Sequence, residues 1–355
     1  MENTNSVSKL NVSYVHRRIG HHASHSGYNT VFEALDLKKA HSKLMGRIIK
    51  WLPMALKWRL HLLRPQAVGD EGLIPELLAL PTTRSKEPGI CHFIYGEDTY
   101  FYTPTWKRNK QKIIATYHYP PQLLIERVSV PVVKTLDAVI LMANNQKPYF
   151  QQYLSDDKIF VVQHHVDTDF FRPSKKRPNN NNFRIVSVGG ILRNMELLLS
   201  VVRELTHQLG DEKVFFDFLI PKEFNEIFKD FSNVVLHSRI TDEELRTVYQ
   251  NATIGFMPLE DCTANNAILE MMACGVSIVC SDVGGISDYI DTEGAVMFDP
   301  QQPLMHLVKN IVTLLNSPSK VKKMAAHNRD KAVTQFSIPR TAEKLLSVYA
   351  KIGNK

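Results

Sequence analysis

The sequence predicts an α/β protein of two doubly wound, parallel-sheet domains facing each other across an interdomain cleft. Three observations carry this. The chain has 355 residues, more than one hydrophobic core usually serves. Short β-branched runs alternate with helical patterns through both halves, the rhythm of parallel strands joined by crossover helices. Between the halves, KKRPNNNN (175–182) is polar and rich in Pro and Asn, the composition of a hinge.

The elements follow in order. LNVSYV (10–15), ICHFIYG (90–96), KIIATYH (112–118), AVILMA (138–143) and IFVVQHHV (159–166) read as buried strands of the first half. The second half is more regular. RIVSV (184–188) leads to a helix over 194–209, then come VFFDFLI (214–220), a short helix near 221–230 and NVVLHS (233–238). In TDEELRTVYQ (241–250), Thr241 with Glu244 three residues on is the signature of a capping box. IGFMP (254–258), a helix over 264–274, VSIVC (276–280) and AVMFD (295–299) complete the series. A last helix, 340–352, has no strand after it and is expected to brace the first domain. The division expected is a first domain over 1–175, a linker over 176–183, a second domain over 184–336 and a returning helix over 337–355. No internal repeat of 20 to 50 residues is present.

Composition excludes several classes. With 44% hydrophobic and 22% charged residues, the chain is globular rather than disordered. No apolar run reaches the roughly 18 residues that span a bilayer. MENTNSVSKLNV lacks the apolar core of a secretory signal, so a cytoplasmic location is expected. Cys91, Cys262, Cys274 and Cys280 show no C-x2-C spacing, which favours reduced thiols over a disulfide or zinc scaffold. HHASHSGY (21–28) offers three histidines without a matching carboxylate or cysteine set, and no metal is expected there.

Chemistry concentrates in CTANNAILEMMACGVSIVCSDVGG (262–285). Glu270 is a carboxylate in an apolar helical turn, expensive to bury unless donors meet it. It faces either solvent or something rich in hydroxyl groups. Asn265 and Asn266 open the same helix, where free N–H groups and the dipole favour an anion; equally, asparagines there serve as N-caps. In VGGILRNMEL (188–197), Arg193 is the one cation of a glycine loop facing the hinge; its plain reading is a surface arginine. His118 ends a strand, where a structural role and a site role both remain open.

Taken whole, that stretch resembles the donor-binding segment of retaining glycosyltransferases of family 4, the glycosyl transferases group 1, whose members have the GT-B fold of two Rossmann-like domains. Other segments match in order: TYHYPP (116–121), VVQHHVDTDFFRPS (161–174), RITDEELRTVYQNATIGFMP (239–258) and FSIPRTAEKLLSVY (336–349). The resemblance covers nearly the whole chain, most specifically 159–300. It implies an enzyme moving a hexose-type sugar from a nucleotide-diphosphate-sugar to an acceptor hydroxyl, without a metal. It implies that Glu270 binds ribose hydroxyls, and that Arg193, Gly27, Asn265 and Asn266 hold the diphosphate. His118 would line the sugar pocket. DTD (167–169) reads within this pattern as a junction turn rather than a metal site.

Two departures stand out. A second family glutamate, eight residues before position 270, is Cys262 here, preceded by Glu260 and Asp261; that role is absent or shifted to Asp261. The loop lysine that many members pair with the arginine is missing. A nucleotide-sugar epimerase, or a degenerate nucleotide- or membrane-binding protein, therefore stays open beside the transferase. From Lys38 to Arg64 there are eight basic residues and no acidic one, interleaved with Trp51, Trp58 and aliphatic residues. Such a segment (38–64) is either an ordinary helix whose charges are its solvated face or, the reading favoured, one that lies on an anionic membrane surface, with the lipid-linked acceptor that the resemblance allows. No nucleic-acid recognition motif accompanies it.

Overall fold

A computed structural model describes residues 11–16, 25, 27–51, 69–175 and 182–354. Packing divides the chain into two units, one of Met1–His22, Gly27–Gln163 and Pro339–Lys355, the other of Ala23–Ser26 and His164–Ile338.

In the first unit, β1 (Val12–Val15), β2 (Lys38–Lys39), β3 (Gly89–Phe93), β4 (Gln111–Tyr117), β5 (Ala138–Leu141) and β6 (Ile159–Val161) form one sheet in the order β2-β1-β3-β4-β5-β6. All of its pairings are parallel. β5 is buried along its whole length, because helices cover both faces of such a sheet and leave no polar side. Phe93, Ile113, Ala115, Val139, Leu141 and Phe150 anchor its core. Chain order reverses between β1 and β3, so the loops leaving those strands diverge at a crevice on the carboxyl edge.

The helix Ile338–Gly353 belongs to this unit from Pro339 onward. Tyr349 reaches β3, its hydroxyl 2.8 Å from His92 Nδ1, while His92 Nε2 lies 2.7 Å from Thr116 Oγ1. Burial holds the His92 imidazole neutral, lowering its pKa to about 3.

The second unit repeats the plan. β7 (Phe183–Val188), β8 (Val214–Leu219), β9 (Val234–Leu236), β10 (Ile254–Met257), β11 (Ser277–Ser281) and β12 (Ala295–Phe298) form a parallel sheet in the order β12-β11-β10-β7-β8-β9. Its reversal lies between β7 and β10. The helix Met195–Leu209 follows β7 and lays Leu198, Val201, Val202 and Leu205 on the core. Two helices the sequence reading left unassigned, Leu304–Leu315 and Pro318–Gln335, complete the cover.

The second unit begins ahead of the hinge expected at 175–182, of which 176–181 lie outside the described residues. Packing explains the earlier start. Arg329 Nη1 donates to Thr168 O and Phe171 O, both at 3.0 Å, and Val166 N donates to Phe336 O at 2.9 Å. The 164–175 segment is thereby tied to the unit that follows it.

Candidate functional site

The reversal in the second sheet is where its carboxyl edge opens, and the loops that leave β7 and β10 there are stitched together. Arg193 and Leu259 form an antiparallel bridge; Glu260 N donates to Leu192 O at 3.0 Å and Asn194 N to Pro258 O at 2.9 Å. Gly189 begins the turn with φ +94, a conformation that L side chains rarely adopt. Asn194 closes it as the N-cap of Met195–Leu209, accepting from Leu197 N at 2.8 Å.

Arg193 is folded back on this loop. Nη1 donates to Ile191 O at 3.0 Å and Nη2 to Val188 O at 3.2 Å. Its Nε, closed off from solvent, has no partner among the described residues. Burial lowers the guanidinium pKa to about 10, so it is charged at neutral pH, and the Cys262 thiol and the Tyr249 phenol act on it electrostatically. The sequence marked Arg193 as a phosphate contact; the structure gives two of its nitrogens to the loop and leaves the third.

The helix Asn266–Ala273 starts beside these loops. Asn265 caps it, with Oδ1 accepting from Ile268 N at 3.2 Å, so that side chain has the capping role. Asn266 is the first helical residue and is half-buried. Asp261 is also half-buried, its Oδ1 accepting from Cys262 N at 2.7 Å; desolvation raises its pKa. Cys262 is buried and its thiol is pushed up to about 12, first by burial and then by Asp261, so it does not replace the missing carboxylate's charge.

Glu270 faces inward, 4% exposed, and a hydroxyl does meet it: Tyr249 donates to Oε2 at 2.8 Å from the helix Asp242–Asn251. Burial and the neighbouring carboxylate push the Tyr249 phenol well above its usual range. Tyr249 escaped the sequence reading. A tyrosine on the buried stripe of a capped helix looks like ordinary core, and the 21 residues to Glu270 give no local signal.

In the first unit, His118 follows β4. Its Nδ1 lies 2.8 Å from Glu97 Oε1, which also accepts the His118 backbone N–H at 3.2 Å. The rings of Tyr28 and Tyr95 stand 4.0 and 4.8 Å from the imidazole by centroid. Glu97 lies in the short helix Gly96–Thr99 after β3. Gly96 lets that helix approach β4 closely, since a Cβ there would meet the Ala115 Cβ at 2.9 Å. Gly27 is buried, and its carbonyl accepts from Thr30 N at 3.1 Å and Thr30 Oγ1 at 2.9 Å. It thus opens the turn into the helix Thr30–Ala34. Glu97 also escaped the sequence reading, which ended its strand at Gly96.

Elsewhere in the second unit, a cavity of about 340 Å³ is lined by Arg184, Asp217, His237 and Glu244 among others. Its buried Asp217 is matched within the wall, by Arg184 at 2.8 and 2.9 Å and by His237 at 2.9 Å. Among the described residues no group of three His, Cys, Asp or Glu could hold a metal ion. The basic stretch divides: Lys38–Lys39 form edge strand β2, Lys43–Trp51 a helix, and 52–64 lie outside the described residues. No helix among the described residues is long and apolar enough to cross a membrane.

Comparison with known proteins places the second unit. The family model described as Glycosyl transferases group 1 matches residues 180–317. The chain is 27% identical over 204 residues to the MMP alpha-(1->4)-mannosyltransferase of Mycolicibacterium hassiacum, a match covering 56% of this chain and 49% of that protein. It is 22% identical over 265 residues to an alpha-maltose-1-phosphate synthase of Mycolicibacterium smegmatis, covering 64% and 66%. The matches thus span about half to two thirds of these relatives. Among solved structures, Anabaena HepE, crystallised with UDP and glucose, aligns with TM-score 0.66 at 12% identity over 96% of this chain and 99% of that one. A Rickettsia africae glycosyltransferase aligns with TM-score 0.65 at 14% identity over 97% and 98%. The fold is GT-B.

Proposed function

Because residues 180–317 form a glycosyl transferases group 1 domain on a GT-B fold, we propose that this protein is a retaining glycosyltransferase using a nucleotide-diphosphate-sugar donor. The observation that carries this reading is the stitched pair of loops at the β7/β10 reversal, with the Arg193 Nε left unpartnered and the buried Glu270 nearby in the next helix. Open α/β sheets take their ligands at such reversals.

In this reading the second unit holds the nucleotide. Glu270, with one oxygen fixed by Tyr249, accepts hydrogen bonds from ribose hydroxyls. The buried guanidinium charge of Arg193 and the N–H groups at the start of the helix Asn266–Ala273 favour the diphosphate. As the bond between the anomeric carbon and the phosphate oxygen breaks, the leaving diphosphate gains charge, and fixed donors favour that state over the ground state. The acceptor oxygen bonds to the same face of the anomeric carbon, and its proton passes to the leaving phosphate. No metal takes part. His118 contacts the transferred sugar.

The test is a thermal-shift panel of UDP, GDP, ADP and their common sugar conjugates, without metal and then with magnesium. A ligand that binds only the folded state raises the melting temperature by mass action, about 2.7 kcal/mol at a hundred times its Kd. One nucleotide is expected to stabilise the protein equally with and without magnesium. No shift with any nucleotide would point instead to a degenerate binding protein.

One observation favours a membrane-bound acceptor. The helix Lys43–Trp51 exposes Leu44, Ile48 and Trp51 (66%, 47% and 87%) on one stripe, with Lys43, Arg47 and Lys50 beside it. Its inner side is held by buried Ile49. An apolar stripe flanked by cations suits an anionic lipid surface, and the acceptor we propose is lipid-linked. Flotation with anionic vesicles is expected to lose the protein when Leu44, Ile48 and Trp51 are all changed to Ser. Undiminished flotation would exclude this helix.

A further inference from the structure

We propose that Glu97 is a positioning residue that fixes the His118 tautomer, so that His118 recognises a hydroxyl group rather than a phosphate oxygen. Glu97 is buried, 3% exposed, and lies at the reversal of the first sheet, on the loop leaving β3. Among the described residues it has no Lys or Arg partner; it pairs with His118, at 2.8 Å. A carboxylate held there costs stability, and its geometry singles out one imidazole nitrogen.

The chemistry follows from donor and acceptor counts. An ionised carboxylate only accepts hydrogen bonds. Oε1 takes the His118 backbone N–H at 3.2 Å, so the 2.8 Å contact from Nδ1 is a second donation to the same oxygen. The proton of the neutral imidazole therefore sits on Nδ1, and Nε2 carries the lone pair. Nε2 is closed off from solvent and has no partner among the described residues. A lone pair in that position accepts from an O–H and repels a phosphate oxygen. The Tyr28 and Tyr95 rings pack against the imidazole and hold its plane.

This deepens the sugar-transfer reading and rests on it only for the identity of the hydroxyl, taken to be one on the transferred sugar. Glu97 touches no substrate in this scheme; it acts through His118.

The experiment uses the full chain labelled with 15N-histidine, with the His118 signals assigned from His118→Gln. In the wild type, at a pH where the imidazole carries a single proton, that proton is expected on Nδ1, with Nε2 bare. Glu97→Gln removes the obligate acceptor and is expected to mix the two tautomers. It should lower kcat/KM for the sugar donor roughly tenfold, the worth of one mispaired hydrogen bond. Affinity for the free nucleotide is expected to stay unchanged. Glu97→Asp, which keeps the charge, should restore part of the tautomer bias. A wild-type His118 protonated on Nε2 would overturn the proposal, as would a Glu97→Gln protein with wild-type tautomer and turnover. If the wild type transfers no sugar at all, the enzyme reading fails, while the tautomer measurement still decides the role of Glu97.

Discussion

Replacing Glu270 by Gln is expected to lower sugar transfer about 10- to 100-fold while the protein stays folded. The range is the worth of hydrogen bonds to a charged group, about 1.5–3 kcal/mol. Glutamine keeps the size of the side chain and can still accept from Tyr249, so the buried phenol is not stranded. It carries no negative charge, and its amide nitrogen donates where a ribose hydroxyl would also donate. The nucleotide-induced rise in melting temperature should fall with turnover, because both depend on the same contact. Glu270→Ala removes the Tyr249 acceptor as well, and a melting temperature lowered in Ala but not in Gln would separate the two roles. Wild-type turnover in Glu270→Gln would remove this residue from the donor site.

Gly284→Ala is expected to be the most damaging single change at this edge. Gly284 has φ +59, where an alanine is strained by about 1–2 kcal/mol. Its new Cβ would also run into Cys262 O and Asp261 Oδ1, and would lie 2.8 Å from Cys262 N. Two of those three atoms are backbone and cannot swing aside. The loop they belong to is tied back by Gly285 N, which donates to Cys262 O at 2.8 Å. We expect a stability loss of about 3 kcal/mol, on the order of 10 °C in melting temperature for a unit of this size. The displaced 261–263 segment should also weaken nucleotide binding. A melting temperature within a degree of wild type would show that this loop yields freely.

Much of the fold was legible because parallel strands buried on both faces appear as continuous apolar runs. VFFDFLI and IGFMP mark β8 and β10 to within a residue. Local signals worked wherever the partner was a few residues away. Thr241 and Glu244 make the capping box as written, at 3.2 and 2.7 Å. Asn265 is an N-cap, one of the two readings its position allowed.

Failures of legibility have a common cause. β2 is two lysines long, and its pairing with Ser13 and Tyr14 leaves no pattern within the strand itself. Arg193 could be placed on its loop, but the direction of a guanidinium depends on which carbonyls the turn presents. Glu97 and Tyr249 lie 21 residues from their partners His118 and Glu270, on different elements.

Hydrophobic period and capping are local properties, so the two alternating α/β halves, the helix that carries Glu270 and the loop that carries Arg193 are written in the residues themselves. Which groups those side chains meet is set by packing between elements far apart in the chain. Contacts between distant elements depend on sheet order and on the close approach that Gly96 and Gly284 permit. That approach sets donor against acceptor at hydrogen-bond distance, and no spacing along the chain encodes it.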